Sequence, residues 1–213
     1  MSDIFREVDE EVRREHYGRL WKRYGKYVIG IAAVIVVAVA GYQGWTHWRQ
    51  SALDDQAAAY AQAVELAESG QTQAALERYT ALADKDLGGY PTLARFQAAQ
   101  LRAEQGDVAG ALAAWDGIAS DGSVGQIWQD LATIFSVMHQ VDTGDAAALE
   151  SRLQPLMQPG RPFAITAIEL SATLALKQGA NQRAAELLRQ ITDNAQAPQA
   201  ARARASQLLR LVQ

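Results

Sequence analysis

Residues 70–83 read GQTQAALERYTALA, and residues 106–119 read GDVAGALAAWDGIA. The two segments align without gaps. Small residues coincide at Ala75 and Ala111 and at Ala83 and Ala119; large ones coincide at Leu76 and Leu112, Tyr79 and Trp115, Leu82 and Ile118. A weaker copy starts at Gly144 (GDAAALESRLQPLM). Another starts at Gly179 (GANQRAAELLRQIT), with Ala184, Leu188 and Ile191 in register. The glycines recur at spacings of 36, 38 and 35 residues. Periods of this length indicate stacked helix pairs, each too small to bury its own apolar face, rather than one globular core.

Each position in the pattern has a physical reason. Glycine ends the first helix of a pair, where a left-handed C′ residue is needed. An alanine five residues later lets the second helix approach the first closely, and an aromatic or Leu four residues further fills the space between them. Amphipathic stretches near 52–69, 91–105, 126–140 and 163–178 supply the first helices. Pro91 and Pro162 fall near helix starts, where the missing N–H costs little. A last helix is expected from about Pro198 to Val212. Its polar Arg202, Arg204 and Arg210 and apolar Leu208, Leu209 and Leu211 would close the exposed end of the stack.

Outward from the repeats, towards the N-terminus, the pattern changes. No residue from Tyr27 to Trp48 carries a full charge, His47 protonation aside, and VIGIAAVIVVAVAG from Val28 to Gly41 is wholly apolar or small. Those 22 residues rise roughly 33 Å as a helix, enough to cross the hydrocarbon layer. Trp21, Tyr24 and Tyr27 precede the segment; Tyr42, Trp45 and Trp48 follow it, in the manner of headgroup anchors. Arg13, Arg14, Arg19, Lys22, Arg23 and Lys26 lie before it, whereas Arg49 is the only cation in the next twenty residues. The cation asymmetry predicts a cytoplasmic N-terminus and an extracytoplasmic repeat domain. Ala38 and Ala40 form an A-x-A pattern before Gly41, as at a cleaved signal peptide. A long n-region with six acidic residues, and an apolar run continuing into an aromatic belt, favour an uncleaved anchor. The expected organisation is an amphipathic cytoplasmic tail (residues 1–26), a transmembrane helix (27–48) and a periplasmic repeat domain (49–213). In the tail, Phe5, Val8, Val12, Leu20 and Tyr24 recur at helical spacing, fitting a helix on the lipid surface or docked to a membrane partner.

The chemistry-bearing motifs are sparse. There is no cysteine, so neither disulfides nor thiolate chemistry are available. His16, His47 and His139 are scattered, with no metal-ligand spacing. The pairs Asp54 with Asp55 and Asp84 with Asp86 read as solvated surface or caps. No nucleophile elbow, Walker A or dinucleotide fingerprint occurs. Trp115 occupies the large position equivalent to Tyr79 and reads as core rather than as a ligand-stacking residue. A formal net charge of −4 supplies no global field for nucleic acid. No cofactor, metal or enzymatic activity is expected.

The glycine, small and large positions of the second helices resemble the tetratricopeptide repeat. The first helices lack that family's Trp and Gly-Tyr pattern, and the third copy departs further, with Leu149 where Ala is expected and Pro155 inside the second helix. The predicted fold is all-α: an N-terminal transmembrane helix, then a solenoid of about four degenerate tetratricopeptide-like hairpins and a capping helix. The order of the tail (DIFREVDEEVRREHYGRLWKRYGKY, from Asp3), span and repeats ending in AAELLRQITDNAQAPQAARARASQLL from Ala184 is similar to the YfgM-like family of bacterial inner-membrane proteins. That resemblance implies a periplasmic domain, association with the Sec translocon, and cooperation with a periplasmic peptidyl-prolyl isomerase-type chaperone and secreted client chains. A scaffold for another cell-envelope complex would need the same architecture. In such stacks the concave face comes mainly from first helices, and the repeat register points Tyr60, Val64, Phe96, Gln100, Ile134 and Met138 towards it as protein-binding residues; the alternative for each apolar one is helix-packing core.

Overall fold

Ala and Leu dominate the second half of the chain, where β-branched residues are few, and the backbone takes the conformation that this composition favours. The computed structural model describes residues 3–85 and 88–212; they form nine α-helices and one 3₁₀ helix, without strands. α1 spans Asp3–Glu68, α2 Thr72–Ala83, α3 Tyr90–Glu104, α4 Val108–Ser120 and α5 Gln126–Gln140. α6 spans Ala146–Leu153 and runs into the 3₁₀ helix Gln154–Met157. α7 (Ala164–Lys177), α8 (Asn181–Thr192) and α9 (Gln199–Leu209) complete the chain. The chain divides into two compact units, Met1–Asp55 and Gln56–Gln213.

The first unit contains a candidate membrane span. One helical stretch among the described residues, beginning at Ile29, is long and apolar enough to cross a bilayer, and its most apolar window is wholly unburied. Ile29, Ile31, Val34, Ile35, Val36, Val37 and Val39 are all exposed. Trp45 and Trp48 lie 5.6 Å apart, ring to ring, and Lys26 sits 5.1 Å over the Tyr27 ring. The tail residues Phe5, Val8, Val12 and Leu20 lie outside the described side chains.

In the second unit the hairpins pair as the glycine spacing predicts: the end of α1 with α2, α3 with α4, α5 with α6, α7 with α8, and α9 last. Gly70, Gly106 and Gly179 take φ of +77°, +87° and +70°. Each is followed by a residue whose N–H reaches back five residues, Gln71 to Leu66, Asp107 to Arg102 and Ala180 to Ala175, which is the closure of a Schellman turn. Gly144 departs from the expectation, having no positive φ. Its turn is longer and closes through Gly144 N–H to Gln140 O at 2.7 Å. Glycine is required there for space: a Cβ would meet Gln140 O and Leu149 Cδ1, each at 3.0 Å.

Packing follows the repeat. Ala75, Ala111 and Ala184 have no exposed surface, as close helix crossings demand. Leu149 takes the equivalent place in the third hairpin and is buried as well. Trp115 is fully buried. Four apolar clusters follow one another along the stack, and each joins one hairpin to the next helix. Pro155, which has no N–H to give, ends α6 and turns the chain into the 3₁₀ helix. At the far end Ala201 and Ala205 of α9 are buried against α8, with Leu208 and Leu209 packed beside them. Leu211, expected on the closing face, lies beyond the end of α9 and is exposed, because the helix stops at Leu209.

Candidate functional site

The stack leaves clefts where the second helices of successive hairpins lie over one first helix, α2 and α4 over α3 and α4 and α6 over α5. The first cleft has a volume of ≈ 320 Å³. Thr80 and Ala83 of α2 form one wall, Ala114, Gly117 and Ile118 of α4 the other, and Ala98 of α3 the floor, with Arg95 and Arg102 alongside. Arg95 is tied back to Asp121 in the α4–α5 turn at 2.8 Å. Asp121 also accepts from Ser123, at 2.6 Å from Oγ and 3.0 Å from the backbone N–H. These bonds, the Ser123 hydroxyl first and Arg95 after it, hold the Asp121 carboxyl below its usual range.

The second cleft, ≈ 380 Å³, is the same place one repeat later. Asp116 stands where Thr80 stood, Arg152 where Ala114 stood, Pro155 where Gly117 stood, and Thr133 where Arg95 stood. The substitutions bring two acidic and two basic side chains into the second cleft. Asp116 Oδ1 accepts from Ser136 Oγ at 2.6 Å and from Arg152 at 2.5 Å. Asp130 Oδ1 accepts from Gln126 Nε2 at 3.0 Å and from Arg161 at 2.8 Å. Gln129 Nε2 donates to the carbonyls of Asp121 and Val124, fixing the turn into α5. Two carboxylates thus face two guanidinium groups, and their formal charges cancel.

The residues expected to bind protein are distributed differently. Tyr60 and Val64 are half-buried against α2 and α3. The Tyr60 ring packs 5.6 Å from that of Tyr79 and 5.7 Å from that of Tyr90. Phe96 is buried between hairpins, 5.7 Å from the Trp128 ring and 6.0 Å from that of Phe135. Ile134 is buried with Val137, Leu149 and Leu153. Gln100 is half-buried and donates to Glu104 at 3.0 Å. Met138 is exposed. The structure therefore brings Tyr60 and Val64 together, and sets Phe96 among the aromatics of α5. The clefts between second helices were not foreseen. The local signal is the exchange, within the repeat, of Thr80 for Asp116, Ala114 for Arg152 and Gly117 for Pro155. Among the described residues no cluster of three His, Cys, Asp or Glu could hold a metal ion.

A stack of helical hairpins with clefts between them is the architecture of a helical-repeat protein-interaction module. The tetratricopeptide repeat-like domain family matches residues 19–134, more than half of the chain, and the chain belongs to that family. No curated protein and no solved structure matches it.

Proposed function

We propose that this protein is a single-pass bacterial inner-membrane protein with a cytoplasmic N-terminus and a periplasmic repeat domain. It would serve as an accessory subunit of the Sec translocon, linking secreted chains to a periplasmic peptidyl-prolyl isomerase-type chaperone. The observation that carries the reading is the union, in one chain, of an exposed apolar helix with a tetratricopeptide repeat-like domain. Support for the orientation comes from the cations before the span. The translocon reading comes from the resemblance of tail, span and repeats to the YfgM-like family. Tethering favours this division of labour: a domain held at the membrane binds clients weakly yet effectively, because anchoring raises effective concentration. Of the six first-helix residues expected to face clients, Tyr60, Val64, Gln100 and Met138 remain proposed for that role, Met138 being exposed, whereas Phe96 and Ile134 are buried in the core.

The test is crosslinking in native membranes, comparing the full chain with one bearing an unrelated span. Recovery of translocon subunits by the first alone is expected. Recovery of other cell-envelope assembly factors with no translocon subunit would replace this reading by that of a scaffold.

A further inference from the structure

The second cleft contains an unusual half-made ion pair. Asp130 is almost entirely buried, its side chain 3% exposed, yet only Oδ1 is used. Oδ2 is buried with no donor among the described residues, and Arg161 Nε is buried with no acceptor among them. An Arg–carboxylate pair ordinarily closes as a fork, with two parallel bonds. Leaving a buried acceptor and a buried donor unmade costs their desolvation without return. The feature therefore calls for a further partner that donates once and accepts once.

The chemistry of that partner follows from the cleft. Asp116 and Asp130 are balanced by Arg152 and Arg161, so a ligand bearing a net charge would leave one unmatched. A neutral partner that donates once and accepts once is a water molecule or an amide, and the amide alone would tie a client chain to the cleft. The cleft's volume lies near the lower end of small-ligand sites, which run from roughly 300 Å³ upward, so it admits a short stretch of chain rather than a folded surface. Arg161 follows Gly160, at φ +85°, in the loop before α7, is itself 30% exposed, and lines the cleft together with Asp130.

We propose that this cleft binds the main-chain amide of an extended client segment, Asp130 Oδ2 accepting its N–H and Arg161 Nε donating to its carbonyl. The proposal rests on the client-binding reading above. It locates recognition between second helices and makes it independent of client sequence, because every peptide bond carries the same two groups.

The test uses the full-length protein in detergent micelles and a short, uncharged, fluorescently labelled peptide of Ser, Asn and Val. A twin methylated at its backbone nitrogens has the same side chains but no N–H to donate. The parent peptide should bind, and methylation should weaken it about tenfold or more. Asp130→Asn keeps the size of the side chain and should weaken parent binding by a similar factor while leaving the twin unaffected. Arg161→Lys, which removes Nε as a donor but keeps the charge, should weaken it as well. Equal binding of both peptides, or parent binding unchanged by Asp130→Asn, overturns the proposal while leaving client binding to act elsewhere on the stack. Absence of parent binding to the wild-type protein also overturns it; membrane crosslinking then decides the translocon reading separately.

Discussion

Arg161 and Asp130, 31 residues apart in sequence, meet at 2.8 Å and tie the loop before α7 to the first half of α5. Asp130 is buried enough that removing its partner leaves a carboxylate held by Gln126 alone. Arg161→Ala should therefore destabilise the repeat domain by about 3 kcal/mol, the low end for a broken buried pair, since Arg161 keeps some access to water. Replacing both residues together, Asp130→Leu with Arg161→Met, should cost far less, because the desolvation penalty disappears with the charges. Thermal unfolding followed by circular dichroism compares the two; equal losses would contradict this account.

Trp115 makes its contribution through its rings. It lies 5.6 Å from Phe135 and stacks at 4.7 Å on His139, while its buried Nε1 has no acceptor among the described residues. Trp115→Phe should thus cost much less than Trp115→Ala, for which about 3–5 kcal/mol is expected from the cavity. Denaturant midpoints of the two variants provide the measurement. A Phe variant as damaged as the Ala variant would mean that the indole N–H is satisfied in solution.

Three glycines should respond to alanine in three ways. Gly106, at φ +87°, should lose about 1–2 kcal/mol through left-handed backbone strain. Gly144 should lose about 1–3 kcal/mol through overpacking, because one of the atoms its Cβ meets is the fixed carbonyl of Gln140. Gly117, inside α4 with open space around its Cβ, should gain about 0.5–1 kcal/mol. A melting series on the three variants checks the order; a stabilised Gly106→Ala would show that the first α3–α4 turn is not left-handed.

Acid should release the tie between α3 and the α4–α5 turn. The Asp121 carboxyl is held below its ordinary value near 3.8 by Ser123 and Arg95. A depressed folded value means that the contribution is full above the unfolded value and is lost as pH falls through the folded one. An NMR titration should place the Asp121 midpoint under that of a free carboxyl, and Ser123→Ala should move it upward. A midpoint unmoved by Ser123→Ala would remove the hydroxyl as its main cause.

Orientation is open to direct labelling, since the chain has no cysteine of its own. A membrane-impermeant maleimide applied to spheroplasts should modify Gln182→Cys, an exposed site on α8, and should spare Ser2→Cys until lysis. The reverse pattern would place the repeat domain in the cytoplasm.

Sequence alone determined whatever is written within a turn or two of chain. The apolar run after Tyr27, the Schellman glycines at 70, 106 and 179, the close-packing alanines at 75, 111 and 184, and the burial of Trp115 all follow from spacing, because helix period and cap geometry are local. Tertiary structure decided the rest. Gly144 has the same spacing as its counterparts, yet serves to avoid Gln140 and Leu149, which depends on how α5 and α6 cross. Leu211 fits an apolar pattern but falls past Leu209, where α9 ends, and is exposed. Above all, nothing near Asp130 in the sequence points to Arg161 or Arg152. Those charges share one cleft because hairpin stacking fixes which residues of neighbouring repeats meet, and stacking is a property of interfaces rather than of any single helix.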